Sequence, residues 1–313
     1  MKRTKIFTII SAVILIATSA FCGGSQESFS SKTISVGLLP DVDSIPFAIA
    51  DINGYFTEEG VDVNLQQFKN PLDRDTAFQS GETVAVVSDL LAASLFINAG
   101  FNVKAVSMTN GSYKLLSAPN SPAASIPELK GLSLGISKNT IIEYATDKML
   151  RTAGLSDSDI KKEIIPQIPV RLEMLSSGKI DGATLAEPLA TISVLSGCNV
   201  LISTDKLGIN PGILLFDEDF LNANKTLVSS FYKAYNRAVE YINNTDKEEY
   251  IDAIIEVMGF PPAAKTVMEL PDYTVAQAPQ EHEADEVTAW MLERKLINYK
   301  ISYSELVDSS CLP

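Results

Sequence analysis

Ser176-Ser177-Gly178-Lys179-Ile180-Asp181-Gly182-Ala183-Thr184-Leu185-Ala186-Glu187 reads as a helix end, a Ser-Gly stop, a buried strand, and an acid where the next helix begins. The same order stands earlier as Gln79-Ser80-Gly81-Glu82-Thr83-Val84-Ala85-Val86-Val87-Ser88-Asp89, about 97 positions away. Glycine stops a helix well because it takes left-handed backbone geometry without steric cost. A run such as Val84–Val87, apolar on both faces, fits a strand covered by helices on each side of a parallel sheet. One supersecondary unit used twice predicts two lobes built alike; the competing explanation is coincidence between two ordinary α/β units. Both copies put an acidic residue beyond the carboxyl end of a strand, where open α/β sheets bind ligands.

Working outward, short β-branched runs alternate with amphipathic stretches from Thr33 onwards. Strands are expected at 34–39, 61–65, 84–87, 103–106, 132–136, 180–185, 200–203 and 213–216. Pro46 suits the first turn of a helix that ends at Asn53-Gly54, and further helical patterns cover 90–99, 141–152 and 170–176. Strands separated by helices of this length make βαβ units and a mainly parallel sheet. From Phe220 the character changes: 228–242, 250–258 and 283–296 are helical by spacing, with no strong strand between them. That section is expected to pack back on the first lobe.

The amino terminus bears on the compartment. Lys2, Arg3 and Lys5 precede an apolar run from Ile6 to Ala17, too short for a stable membrane span but right for a signal peptide over 1–21. Cys22 follows Ser19-Ala20-Phe21, and the Gly-Gly-Ser-Gln-Glu-Ser stretch behind it reads as part of a flexible tether over 22–32. This resembles a lipoprotein signal, with Cys22 as the lipidated residue and a membrane anchor; the other reading is cleavage near Ala20 with Cys22 incidental. The formal charge of −14 becomes −17 once a leader with those three cations is removed. Such an acidic chain is repelled by nucleic acid and by anionic lipid, and is expected to be a soluble monomer after export. With 46% hydrophobic residues it can bury a core; roughly 285 mature residues allow one large domain or two lobes. Cys198 and Cys311 could pair, but two thiols make no disulfide framework, and Cys198 in its apolar run fits a buried thiol.

Three stretches carry a family resemblance. Val36-Gly37-Leu38-Leu39-Pro40-Asp41 leads to Pro46-Phe47-Ala48-Ile49-Ala50 and then Gly54-Tyr55-Phe56-Thr57-Glu58-Glu59-Gly60-Val61-Asp62-Val63. This opening, Ala77–Gly81, and Met174–Ala183 through Glu187-Pro188 resemble the solute-binding proteins that serve ABC importers for alkanesulfonates, nitrate and the thiamine pyrimidine. The likeness runs over 34–216 and weakens afterwards. It implies a periplasmic-binding-protein fold of type II: α/β, two lobes, each a mainly parallel sheet flanked by helices, with a ligand in the cleft. It also implies a permease and an ATPase as partners, and two segments crossing between lobes. The division expected is 33–115 with 212–313 for lobe 1, and 116–211 for lobe 2.

Four strand-end turns supply candidate ligand-binding residues. Asp41, Asp43 and Ser44 lie after the first strand, where the alternative is a plain capping loop. Ser88 and Asp89 end another strand; Asp89 is also N-cap material, which does not exclude ligand contact. Ser137, Asn139 and Thr140 open a helix whose free N–H groups favour an anionic or carbonyl group. Glu143 in that first turn is better read as stabilising the helix by its charge, while Tyr144 offers a stacking face. Glu187, ahead of Pro188, is either a cap or a receptor for a donor-rich ligand.

A cleft lined by Asp41, Asp43, Asp89 and Glu187 suits an amine-bearing heteroaromatic such as an aminopyrimidine, stacked by Phe47, Tyr113 or Tyr144. It suits a sulfonate or nitrate less well, because unpaired like charges repel. No cofactor or metal is expected, since His or Cys pairs at ligand spacing are missing. The same fold also occurs in an enzyme making the thiamine pyrimidine, whose chemistry needs an active-site histidine; this chain has only His282, in an acidic, solvated stretch. A non-enzyme is therefore expected. A receptor reporting to a membrane sensor stays open beside an import role.

Overall fold

The computed structural model describes residues 33–313, so the expected signal peptide, Cys22 and the expected tether lie outside the described residues. The chain begins with β1 (Thr33–Leu38), α1 (Ile45–Ile52), α2 (Tyr55–Glu58), β2 (Asp62–Gln67), α3 (Pro71–Gln79), β3 (Ala85–Asp89), α4 (Leu90–Asn98) and β4 (Val103–Met108). A second set follows: β5 (Tyr113–Ser117), β6 (Ser133–Ile136), α5 (Ile141–Arg151), β7 (Lys161–Ile164), α6 (Ile168–Ser176), β8 (Gly182–Ala186), α7 (Leu189–Leu195) and β9 (Asn199–Ser203). The chain then returns through β10 (Gly212–Asp217) to α8 (Glu218–Ala223), α9 (Lys225–Asn244), α10 (Ile251–Met258), α11 (Ala264–Val267), α12 (Glu281–Glu293) and α13 (Tyr303–Leu306).

Two five-stranded sheets result, ordered β2-β1-β3-β10-β4 and β7-β6-β8-β5-β9. In each, four strands share one direction and the strand reached by a crossing runs against them: β10 against β3 and β4, β5 against β8 and β9. The expectation of two mainly parallel sheets holds. One boundary moves: β5 is paired in the second sheet from Tyr113, so the first crossing is 109–112 and not after 115. The return crossing is 204–211.

β3 and the first four residues of β8 are wholly buried, as central strands with helices on both faces must be. β7, Lys-Lys-Glu-Ile, is a polar outer strand whose lysines discourage edge pairing. Nothing in its composition marks a strand, and the strands expected from sequence include neither β7 nor β5. α9 buries Val228, Phe231, Tyr232, Tyr235, Val239 and Ile242 at helical spacing. It packs on α1, with Phe47 stacked near Phe231 and tilted against Tyr235. The carboxy-terminal helices therefore cover lobe 1, and α12 also touches lobe 2. Trp290 on α12 meets Tyr144 of α5 edge-on, and its indole N–H donates to Asp147 Oδ2 at 2.7 Å. Cys198 and Cys311 are both free and buried, in different core clusters. Among the described residues, no helix is long and apolar enough to cross a membrane.

Candidate functional site

The strand ends of the two sheets face each other across a cavity of about 40 Å³. Leu39, Asp41 and Asp43 come from the turn after β1; Ser88 and Asp89 from the end of β3; Ser137 directly follows β6; Ala186 ends β8. The lobes touch around it: Val42 N–H donates to the Glu187 carbonyl at 3.0 Å and Ile168 N–H to the Lys69 carbonyl at 3.2 Å. Leu39, Ile141, Ile142 and Ile168 give aliphatic walls, and Tyr113 is the one aromatic among the lining residues.

Three buried carboxylates converge there. Asp41 Oδ1 accepts from the Ser44 N–H (3.2 Å) and hydroxyl (2.9 Å), so Ser44 buttresses the turn and lies outside the cavity lining. Burial raises the Asp41 pKa well above the usual carboxylate range, and the charge of Asp43 adds to it. Asp43 accepts from the Thr109 hydroxyl at 2.5 Å; burial pushes its pKa up to about 6 in spite of that bond. Thr109 lies in the first crossing, where a Cβ on Gly111 would overlap the Asp43 carboxylate. Asp43 thus ties the cavity to the first crossing. Asp89 N-caps α4 through Ala92 N–H (2.8 Å), and burial raises its pKa despite nearby Arg74 and the N–H groups of Ala92 and Ile141. The Ile141 N–H heads α5, so part of the helix N-terminus expected to meet a ligand faces the protein's own Asp89. Ser88 Oγ is buried without a hydrogen-bond partner among the described residues. Burial and the three carboxylates keep the Tyr113 hydroxyl well above its ordinary pKa.

A model of the NMT1/THI5-like family matches residues 41–249, most of both lobes. The chain belongs to the NMT1/THI5-like family. Two curated relatives are similar over most of the chain. One, from Brachyspira hyodysenteriae, carries the name ABC transporter periplasmic binding protein and is 24% identical, covering 76% of this chain and 74% of the relative. The other is the riboflavin-binding protein RibY of Chloroflexus aurantiacus, 22% identical, covering 71% of this chain and 65% of that protein. Among solved structures, the alkanesulfonate-binding protein SsuA of Xanthomonas axonopodis pv. citri superposes with a TM-score of 0.77 at 15% identity, over 89% of this chain and 98% of that one. That likeness shows the fold: a two-lobed periplasmic-binding-protein architecture.

On this NMT1/THI5-like scaffold, several expected site residues fall elsewhere. Glu187 lines a separate, open pocket with Lys114 and Asp205. Its carboxylate accepts from Thr191 N–H (3.0 Å) and hydroxyl (2.8 Å) and pairs with Lys114. The reason is strand alternation. A 97-residue offset aligns Asp89 with Ala186, which does line the cavity, and Glu187 with Leu90; a shift of one residue turns a strand side chain to the other side. Tyr144 packs against Trp290 and faces a different pocket beside His282. Phe47 is wholly in the lobe 1 core. Asn139, left-handed at φ 58°, donates its N–H to Glu143 Oε2, and Thr140 caps α5 through Ile142 N–H at 3.2 Å. Neither lines the cavity.

Two lining residues escaped the sequence reading: Arg74 on α3 and Arg171 on α6, each at most 2% exposed. They stand 97 positions apart, and each donates to the carbonyl 13 residues on, Arg74 Nη1 to Val87 (2.9 Å) and Arg171 Nε to Thr184 (3.2 Å). Gly37 in β1 and Gly135 in β6 lie against them: an added Cβ would come 3.4 Å and 3.3 Å from the respective arginine Cγ atoms, and nearer still to Val86 Cγ1 (3.0 Å) and Ile180 Cδ1 (2.6 Å). The duplication already noticed in sequence could have found both.

Proposed function

We propose that this chain is the extracytoplasmic solute-binding subunit of an ABC importer, taking a small amine-bearing heteroaromatic such as an aminopyrimidine of the thiamine-pyrimidine kind. The carrying observation is the meeting of buried Asp41, Asp43 and Asp89 in one narrow, aliphatic-walled cavity. Desolvated carboxylates that repel one another are relieved by a donor-rich or cationic group and penalised by an anion. Aliphatic walls with one tyrosine suit the apolar faces of a small ring. A curated relative named for riboflavin, itself a heteroaromatic, supports that class. The family relatives support export, import partners (a permease and an ATPase) and a role without catalysis; anchoring through Cys22 and a monomeric state belong to the same reading.

The mechanism is hinge closure about the crossings 109–112 and 204–211. A solute entering the open cleft contacts both lobes and so favours the closed form over the open one. Asp43, held by Thr109 and lying where Gly111 leaves space for its carboxylate, couples the ligand charge to the first crossing. A thermal-shift panel of 4-aminopyrimidines, ethanesulfonate, nitrate and amino acids tests the reading. Stabilisation by aminopyrimidines is expected, and stabilisation by ethanesulfonate or nitrate alone would overturn it. A reporting role to a membrane sensor remains the alternative use of the same closure, separable by which membrane protein the closed form binds.

A further inference from the structure

The duplicated arginines differ in one respect. Arg74 has carboxylates beside it: its Nε donates to Asp75 Oδ1 at 2.9 Å, with Nη2 2.7 Å from the same oxygen. Burial would lower its pKa, but Asp75 and Asp89 more than offset that. At the 97-residue offset, lobe 2 has Leu172 where lobe 1 has Asp75, and Ala186 where it has Asp89. Arg171 accordingly has no carboxylate within 4 Å among the described residues. Its Nε and Nη1 are held by the Thr184 and Ile165 carbonyls (3.2 and 2.7 Å), while the residue itself lines the cavity. Burial with no counter-charge pulls its pKa down to about 10.

The geometry points to Arg171 as a specificity-determining subsite that receives an oxygen acceptor, a carboxylate or a polarised carbonyl, on the solute whose amine meets Asp41, Asp43 and Asp89. This rests on the amine reading above and deepens it: the solute is dipolar, nitrogen toward lobe 1 and oxygen toward lobe 2. A buried cation gains most from a partner that arrives desolvated with it, and a guanidinium fixed by two carbonyls is already oriented for an oxygen. The counterpart Arg74 is less suited to the role because Asp75 neutralises its charge, although its Nη2 lies outside hydrogen-bond geometry with that carboxylate. A dipolar solute also gives closure a reason. Neither lobe alone offers both charges to it uncompensated: lobe 1 presents spare carboxylate, lobe 2 a spare guanidinium.

Calorimetry with three probes tests this: 4-amino-2-methylpyrimidine (amine alone), its 5-carboxylate (amine and oxygen), and ethanesulfonate (oxygen alone). Each is titrated into the wild type, Arg171→Gln and Arg171→Lys. The wild type should bind the 5-carboxylate more tightly than the plain amine by on the order of tenfold, the scale of a charge-assisted hydrogen bond. Arg171→Gln should erase that preference, read as the ratio of the two pyrimidine affinities within each protein, and Arg171→Lys should restore part of it. Equal wild-type affinity for the two pyrimidines, or a preference that survives Arg171→Gln, overturns the subsite and leaves the amine reading intact. Binding of ethanesulfonate without either pyrimidine overturns the amine reading, and Arg171→Gln then decides the subsite by abolishing or sparing that binding. Binding of none of the three overturns both. Should Arg171→Gln fail to fold, the wild-type comparison and Arg171→Lys still decide.

Discussion

Asp43→Asn removes a buried charge while keeping an oxygen for the Thr109 hydroxyl. Burial raises the Asp43 pKa from the ordinary 3.8 to about 6, so the folded protein binds this proton more tightly than the unfolded chain does. Stability from the site is then fully present below pH 4 and is lost as pH rises through 6. The gap corresponds to about 3 kcal/mol at pH 7.5 and about 1 kcal/mol near pH 4.5. Relieving Asp41 of a like charge adds in the same direction. The solute-free variant should therefore be more stable than wild type at pH 7.5 by up to about 3 kcal/mol, with a rise in Tm of roughly 5 to 10 °C, and by only about 1 kcal/mol at pH 4.5. Chemical denaturation of both proteins at the two pH values, after exhaustive dialysis, measures this. A variant equally destabilised at both pH values would refute the reasoning: Asp43 would then be a structural anchor and not a strained charge awaiting a donor. The same substitution should weaken aminopyrimidine binding, since stability and function are opposed at such a site.

Glu187→Ala should cost about 1–2 kcal/mol through the lost Thr191 contacts and leave solute affinity unchanged in calorimetry; a tenfold loss of affinity would mean that the carboxylate reaches the solute after all. Asp147→Ala removes the acceptor shared by Trp290 Nε1 (2.7 Å) and Arg294 Nη2 (3.2 Å), the tie between α12 and α5. It should favour the open form, with a larger radius of gyration in solution scattering and faster solute release; an unchanged radius and release rate would contradict that latch. Gly111→Ala places a Cβ on the Asp43 carboxylate and should destabilise the closed form by about 1–3 kcal/mol, checked by denaturation with and without solute.

Much of the architecture was legible because buried strands are written in apolar runs. Val84–Val87 and Ile180–Leu185 fall on β3 and β8, the central strands. β7 was not legible, since an edge strand of Lys161-Lys162-Glu163-Ile164 has no apolar face to betray it. Within the candidate site, Asp41, Asp43, Ser88, Asp89 and Ser137 were reachable from strand-end position alone, and Tyr113 only as an aromatic able to stack. Glu187 was misplaced because strand alternation makes a one-residue slip decisive, and the two acids at the ends of the echo are slipped by one. Arg74 and Arg171 were missed because an arginine on a short helix reads as solvent-facing. Only the repeat, joined to the glycine pair Gly37 and Gly135, shows that each is folded under a strand. The acids alone favoured an amine; the unpaired Arg171 extends that preference to a dipolar solute.

Mass spectrometry of the solute released on denaturing protein purified from its own cell envelope bears most directly on the amine-receptor reading. A small compound with an exocyclic or ring N–H donor is expected. A sulfonate, nitrate or any solute without such a donor would contradict it.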